Sequence, residues 1–181
     1  MKYSSIALSG LPVSGKSSLI KRLSQEYGWS VFSIGDSLRE NYKQDPDGQT
    51  SVEEYFRTRS REQLVEINQY LRMFVEPGNV VGDSRFTLYL ADLPCLRVFM
   101  TADSGVRAKR AIERGDYTGK NFEQVRQILL DREMSEVELG HDLFGYDYRL
   151  SEHYHLVINS GLLSIEEEFR LINAAMQKNK Y

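Results

Sequence analysis

The stretch Gly10-Leu-Pro-Val-Ser-Gly-Lys-Ser17 sets two glycines at fixed positions, followed at once by a lysine and a hydroxyl. Glycine serves where the chain must turn tightly or pass close to a ligand, so Gly10 and Gly15 allow successive backbone N–H groups to ring an anion. The positive end of the helix that follows points at the same anion. Lys16 is then placed to reach the terminal phosphates and Ser17 to hold Mg²⁺. The cradle as a whole comprises Gly10, Leu11, Pro12, Val13, Ser14, Gly15, Lys16 and Ser17.

Moving a phosphoryl group asks a protein for position and positive charge, because the developing charge spreads over phosphate oxygens and no protein nucleophile is required. Arg39 lies one helical turn beyond Asp36, and Arg85 directly follows an apolar strand. Planar guanidinium groups there suit bidentate capture of an acceptor phosphate. Asp83, at the end of the same strand, is placed to orient Mg²⁺ through its water shell. Arg107, Arg110 and Arg114 share a helix face, and Arg132 comes from the helix across a polar loop, Gly115 to Asn121. Folding down on the phosphates, these groups would exclude water. Arg126 and Lys109 read as a solvated helix face. Glu133 and Glu136 share one face and suit pairing with nearby arginines, Arg132 among them. His141, His153 and His155 have no metal-ligand spacing beyond the H-x-H of the last two, which on a strand would face the same way.

Positioning these residues requires strands that end at one edge. An apolar run at Ile6 to Leu8 precedes the cradle, and Leu19, Ile20, Leu23 and Tyr27 give the next helix its buried face, with Gly28 as its stop. Trp29 to Ile34 is a strand running into Gly35-Asp36, and Val80-Val81 is another, ending at Gly82-Asp83-Ser84-Arg85. Leu96 to Met100 and His155 to Ile158 complete five strands. Between them, capping boxes at Ser51/Glu54 and Ser60/Gln63 open helical sequence whose buried stripe is Leu64, Ile67, Leu71 and Phe74. Ser104 is placed to cap a helix to about Arg114. Asn121 with Gln124 opens the next, with Phe122, Val125, Ile128 and Leu129 on its apolar side. Ser164 with Glu167 opens the last, built on Ile165, Phe169, Ile172 and Met176. Strands and helices alternate throughout, which predicts an α/β fold with a parallel sheet covered on both faces and a ligand beyond the strands' carboxyl ends.

A chain of 181 residues suits one domain, 1–181, with an acceptor-binding helical region at about 36–76 and a lid at about 104–140. The net charge of −3 gives no general attraction to nucleic acid or to an anionic membrane. Cys95 is alone, so no internal disulfide forms, and burial as a small hydrophobe is its expected state. Neither a signal-peptide core nor a bilayer-spanning run is present, and a cytoplasmic monomer or weak homodimer acting on small-molecule nucleotides is expected.

Beyond the cradle, Ser33-Ile-Gly-Asp-Ser-Leu-Arg-Glu40, Val80-Val-Gly-Asp-Ser-Arg85, Val106-Arg-Ala-Lys-Arg110, Arg132-Glu-Met-Ser-Glu136 and Phe144-Gly-Tyr-Asp147 follow one another. With these segments the chain resembles a nucleoside monophosphate kinase of the P-loop NTPase superfamily, most specifically the single-domain cytidylate kinases of the archaeal type. The resemblance implies a three-layer α/β/α P-loop kinase fold with a five-stranded parallel sheet and a helical lid. It implies ATP at residues 10–18 with Lys16 catalytic, the monophosphate acceptor, CMP or dCMP, at Asp36, Arg39 and Arg85, and Mg²⁺ at Ser17 and Asp83. Arg107, Arg110 and Arg132 would be the lid arginines. The chain departs from that pattern at Val13 and Ser84, where the family has glycine, and at Leu139 and Gly140, where it has arginine and tyrosine. These departures leave two further readings open: a P-loop kinase with a different small-molecule acceptor, and a catalytically weak nucleotide-binding regulatory protein.

Overall fold

The computed structural model describes residues 3–34 and 61–177, with the backbone alone at 61, 63, 64 and 67. Asp36, Arg39, the Gly35-Asp36 turn and both capping boxes before residue 64 lie outside the described residues, as do the side chains of Leu64 and Ile67.

β1 (Ser5–Gly10) is buried along its whole length. It pairs with β3 (Val80–Asp83) on one side and β4 (Cys95–Thr101) on the other. β2 (Ser30–Ser33) flanks β3, and β5 (Leu156–Asn159) flanks β4. Every pairing is parallel and the order is β2-β3-β1-β4-β5. The connection from β1 runs to β2 on one side of it, and that from β3 crosses to β4 on the other, so the strand order reverses at β1 and opens a crevice beyond its carboxyl end.

Five helices lie among the described residues: α1 (Lys16–Tyr27), α2 (Arg61–Val75), α3 (Ser104–Glu113), α4 (Phe122–Phe144) and α5 (Ile165–Gln177). Alternate residues of a strand face opposite sides. Ile6 and Leu8 therefore pack with Leu19, Leu23, Phe169, Ile172 and Met176 of α1 and α5. Ala7 faces the other way, toward Leu71 and Val75 of α2. α3 and α4 form a hairpin closed by Ala108, Ala111, Val125 and Leu129.

Three local expectations are corrected. The side chain that caps α3 is Asp103, accepting from the Gly105 N–H at 2.8 Å, while the Ser104 hydroxyl accepts from Arg126 Nε at 3.0 Å. An anionic cap suits the positive end of a helix better than a hydroxyl does, and Arg126 thereby ties α3 to α4. Phe74 is 49% exposed and stacks on Phe32 at 4.3 Å, because Leu71 and Val75, four apart, form the inner row of α2. His153 sits in a 3-10 turn and His155 in the bend before β5, which begins at Leu156 rather than at His155, so neither histidine lies on the strand. α4 ends at Phe144, where Gly145 turns at φ 74°. The Asn121–Gln124 capping box forms in both directions, at 2.9 and 3.0 Å.

Candidate active site

The loop between β1 and α1 is shaped by contacts that fix each residue type. A Cβ on Gly10 would lie 2.2 Å from the Met100 carbonyl oxygen, so only glycine lets β1 pass that close to β4. Gly15 enters α1 at φ 91°, in the left-handed region glycine adopts freely. Val13 holds φ 60° in the same loop, where a β-branched side chain is strained. The strain explains why the related pattern uses glycine there; the Val13 side chain packs against the α3–α4 cluster in return.

Lys16 is buried, and its Nζ donates to the carbonyls of Gly10 at 3.1 Å and Leu11 at 3.4 Å. Burial first, and then the nearby Arg85 guanidinium, bring its pKa from 10.5 down to about 7 against the opposing pull of Asp83 and Glu136. Ser17 and Ser18 stand exposed at the mouth of the loop. The buried Ser14 hydroxyl has no hydrogen-bond partner among the described residues. Ser17, Ser33 and Asp83 line one cleft together with Lys21 and Gln25. Hydroxyls and a carboxylate form the all-oxygen donor set a hard divalent cation prefers, so these residues fit Mg²⁺.

The arginines are gathered by two carboxylates one helical turn apart on α4. Glu136 accepts from Arg85 Nε at 2.7 Å and Nη2 at 3.0 Å, from Arg132 Nε at 3.1 Å and from the Tyr148 hydroxyl at 3.0 Å. Burial alone would raise the Glu136 pKa, but Arg85, Arg132 and Lys16 outweigh it and hold the carboxyl at about 2. Its negative charge in turn raises Arg85, against the effect of burial. Glu133 accepts from Arg107 Nη2 at 2.8 Å and from Arg149 Nη1 at 3.0 Å. Arg107 is nearly inaccessible: its other nitrogens donate to Ala102 O at 3.1 Å and to Pro12 O of the phosphate loop at 3.4 Å. Arg110 donates to the hydroxyl and carbonyl of Ser160 at 2.9 and 2.7 Å, with one nitrogen 3.7 Å from where a Gly15 Cβ would stand.

Of the residues expected to act, the structure thus brings Lys16, Ser17, Asp83, Arg85, Arg107, Arg110 and Arg132 to the carboxyl edge of β1, β3 and β4. Arg107 lies beneath the loop rather than over its mouth. Arg114 turns away to pair with Asp116 in solvent. Ser84, at a position of glycine in the related pattern, is buried and its hydroxyl accepts from the Phe86 N–H at 3.2 Å. Sequence reasoning missed Ser160, Tyr148 and Arg149. Ser160 immediately follows a strand at the same edge, which is the signal that marks it. Asp147-x-Arg149 offers only a local pair, formed at 2.7 Å, and gives no hint of its link to Glu133. Two of the histidines take structural roles: His155 Nδ1 accepts from the Arg97 N–H at 3.0 Å, and the His153 ring packs on Tyr146. Among the described residues, no group of three or more His, Cys, Asp or Glu is arranged to hold a metal.

The model of the cytidylate kinase-like family matches residues 5–162. The chain belongs to that family. It is similar to the cytidylate kinase of Methanopyrus kandleri, 27% identical over 94% of this chain and 92% of the relative. The cytidylate kinase of Pyrococcus horikoshii is also 27% identical, over 94% of this chain and 87% of its own. Among solved structures, an uncharacterized protein from Eubacterium ventriosum superimposes with a TM-score of 0.71 at 16% identity, covering 96% of this chain and 98% of that one. Shikimate kinase from Bacteroides thetaiotaomicron gives a TM-score of 0.65 at 16% identity with the same coverage. At such identities the last two show the fold alone. A P-loop kinase architecture therefore joins the family membership. No helix among the described residues is long and apolar enough to cross a membrane.

Proposed function

We propose that the protein transfers the γ-phosphate of MgATP to a nucleoside monophosphate, with CMP or dCMP as the preferred acceptor, in the cytoplasm. The observation that carries the reading is the convergence of Lys16, Arg85 and Arg132 around Glu136, beside a loop shaped by Gly10 and Gly15. In this reading the loop from Gly10 to Ser18 binds the triphosphate, and Lys16 leaves its own loop's carbonyls to meet the transferred group. Arg85, with Asp36 and Arg39, receives the acceptor. Arg110 and Arg132 approach from the α3–α4 hairpin, while Arg107 acts from below by fixing the Pro12 carbonyl. Ser17 and Asp83 would hold Mg²⁺, which when bound neutralises charge on the phosphates. The protein's own contribution is placement in a site that excludes water, where fixed positive charge is worth more than in solution.

Incubating the purified protein with MgATP and each common nucleoside monophosphate, and following ADP release, tests the proposal. Turnover highest with CMP or dCMP is expected; no turnover with any monophosphate overturns it. A second reading, a P-loop kinase with another small acceptor, draws on Gly140, where Phe86 and Tyr146 leave no space for the tyrosine of the related pattern. Under that reading CMP does not compete with the true acceptor.

A further inference from the structure

Arg85 is held from one side only. A guanidinium carries five N–H donors, and Glu136 takes one from Nε and one from Nη2 along a single edge, at 2.7 and 3.0 Å. Nη1, on the far end, makes no hydrogen bond among the described residues, and the side chain remains 21% exposed. The anchoring carboxylate is itself fixed. Its side chain is 14% exposed, α4 carries it, and the Tyr148 hydroxyl and Arg132 Nε bond the same two oxygens at 3.0 and 3.1 Å. Tyr148 in turn is fully buried in an aromatic cluster with Phe86 and Phe99.

This arrangement differs from a surface ion pair. Arg85 follows β3, Arg132 and Glu136 belong to α4, and Tyr148 comes from the segment after α4, so one carboxylate joins three parts of the chain around the phosphate loop. A free arginine of this length samples many rotamers and loses that freedom when it binds. One already bound along its Nε edge does not. Carboxylate binding at that edge also leaves the other end of the fork, Nη1 with Nη2, in the geometry that suits a second anion.

We propose that Glu136 is a positioning residue that holds Arg85 by its Nε edge, with Tyr148 steadying the carboxylate, so that the open Nη1/Nη2 end captures the phosphate of the acceptor. The inference rests on the kinase reading for the identity of that acceptor. The chemistry it requires is a phosphate monoester dianion approaching Arg85 while the Glu136 pair stays intact. Glu136 touches neither substrate in this role; it acts through Arg85.

The test is designed to separate the two claims. The Arg85 Nε–H signal is followed by nitrogen-15 NMR in the full chain as inorganic phosphate is added, to the wild type and to Glu136→Gln. In the wild type the Nε–H is expected to exchange slowly with water, and the Arg85 signals to shift on phosphate addition. In Glu136→Gln the Nε protection is expected to be lost and the phosphate affinity at Arg85 to fall about threefold to tenfold, the cost of immobilising one rotamer-rich side chain on binding. Steady-state rates add a split that a merely structural role would not produce: KM for the monophosphate rises while KM for MgATP stays within about twofold of the wild-type value, and Glu136→Asp recovers part of the loss. If Glu136→Gln fails to fold, Tyr148→Phe removes one bond to the same carboxylate and is expected to weaken phosphate at Arg85 about twofold, the lower end of the same cost. Unchanged phosphate affinity in the variants, an Arg85 signal that never responds, or equal rises in both KM values would overturn the proposal. Phosphate binding at Arg85 with no turnover of any monophosphate would overturn the kinase reading and leave the positioning role standing.

Discussion

The hydroxyl of Ser160 donates to the Ser14 carbonyl of the phosphate loop at 2.7 Å, joining the turn after β5 to a loop 146 positions earlier. The same oxygen accepts from Arg110 Nη1 at 2.9 Å, and the Ser160 carbonyl accepts from Arg110 Nη2 at 2.7 Å. Ser160 and Ser14 are both buried, so the Ser14 carbonyl finds no water in place of that hydroxyl.

Removing that hydroxyl by Ser160→Ala is expected to cost about 1–3 kcal/mol, the penalty for leaving buried polar groups unpaired. In a chain of this size it appears as a Tm lower by several degrees. Because the lost bond braces the triphosphate side, KM for MgATP should rise while KM for the acceptor stays near the wild-type value. An equal rise in both would assign Ser160 to general stability.

Lys16 makes the protein's stability depend on pH in a defined direction. Its folded-state pKa lies near 7, below the ordinary 10.5, chiefly because it is buried. Between those two values the unfolded chain binds more protons than the folded one, so this group makes stability rise with pH across that window. Lys16→Met removes the penalty. The variant should melt above the parent at pH 6, the gap should close as pH approaches 10, and activity should be abolished. Binding a triphosphate restores the charge, so calorimetry of the parent at pH 8 in buffers of different ionisation heat should show proton uptake, fading at pH 6.

The layers of this fold are written plainly in the chain because they rest on periodic burial. Leu19, Leu23, Phe169 and Ile172 repeat at helical spacing, and Ile6 and Leu8 alternate with Ala7, so their faces could be assigned before any contact was known. The phosphate loop was equally legible, since few residue types satisfy the approach of Gly10 to Met100. The partners of the arginines were not. Arg107 and Arg110 share a helix face, yet one turns under the loop toward Glu133 and the other toward Ser160. Periodicity locates a face but says nothing of which carboxylate or carbonyl waits opposite it. Asp103 in place of Ser104 shows the same limit at the scale of one residue, where two good caps adjoin and geometry selects between them.

Val13 offers a direct measure of what the loop's shape costs. A non-glycine residue in the left-handed region carries about 1–3 kcal/mol of strain. Against this, Val13 contributes apolar contact to the α3–α4 hairpin, and glycine brings about 0.5–1 kcal/mol of extra chain entropy to be lost on folding. The opposing effects are of similar size. Val13→Gly should therefore change stability by no more than about 1 kcal/mol by denaturant titration. Affinity for the triphosphate should be retained. A loss beyond about 2 kcal/mol would mean that packing against the hairpin, rather than backbone shape, governs the position.

Gly140 is set by packing rather than by backbone conformation. A Cβ there would stand 3.0 Å from the Tyr146 carbonyl oxygen and 3.1 Å from Phe86 Cε1, closer than either contact comfortably allows. Alanine would gain about 1 kcal/mol of helix propensity over glycine in the middle of α4. Overpacking a filled core costs about 1–3 kcal/mol, and one of the two neighbours is backbone that cannot rotate aside. The balance favours destabilisation, so Gly140→Ala should lower Tm by a few degrees, and Gly140→Tyr should not fold to a stable state. Phe86 directly follows Arg85 in the chain, so displacing its ring moves the guanidinium that Glu136 holds. Gly140→Ala should accordingly raise KM for the acceptor more than KM for MgATP, whereas a Tm at or above the parent's would show that the Phe86 ring yields freely and that the glycine is not required by its neighbours.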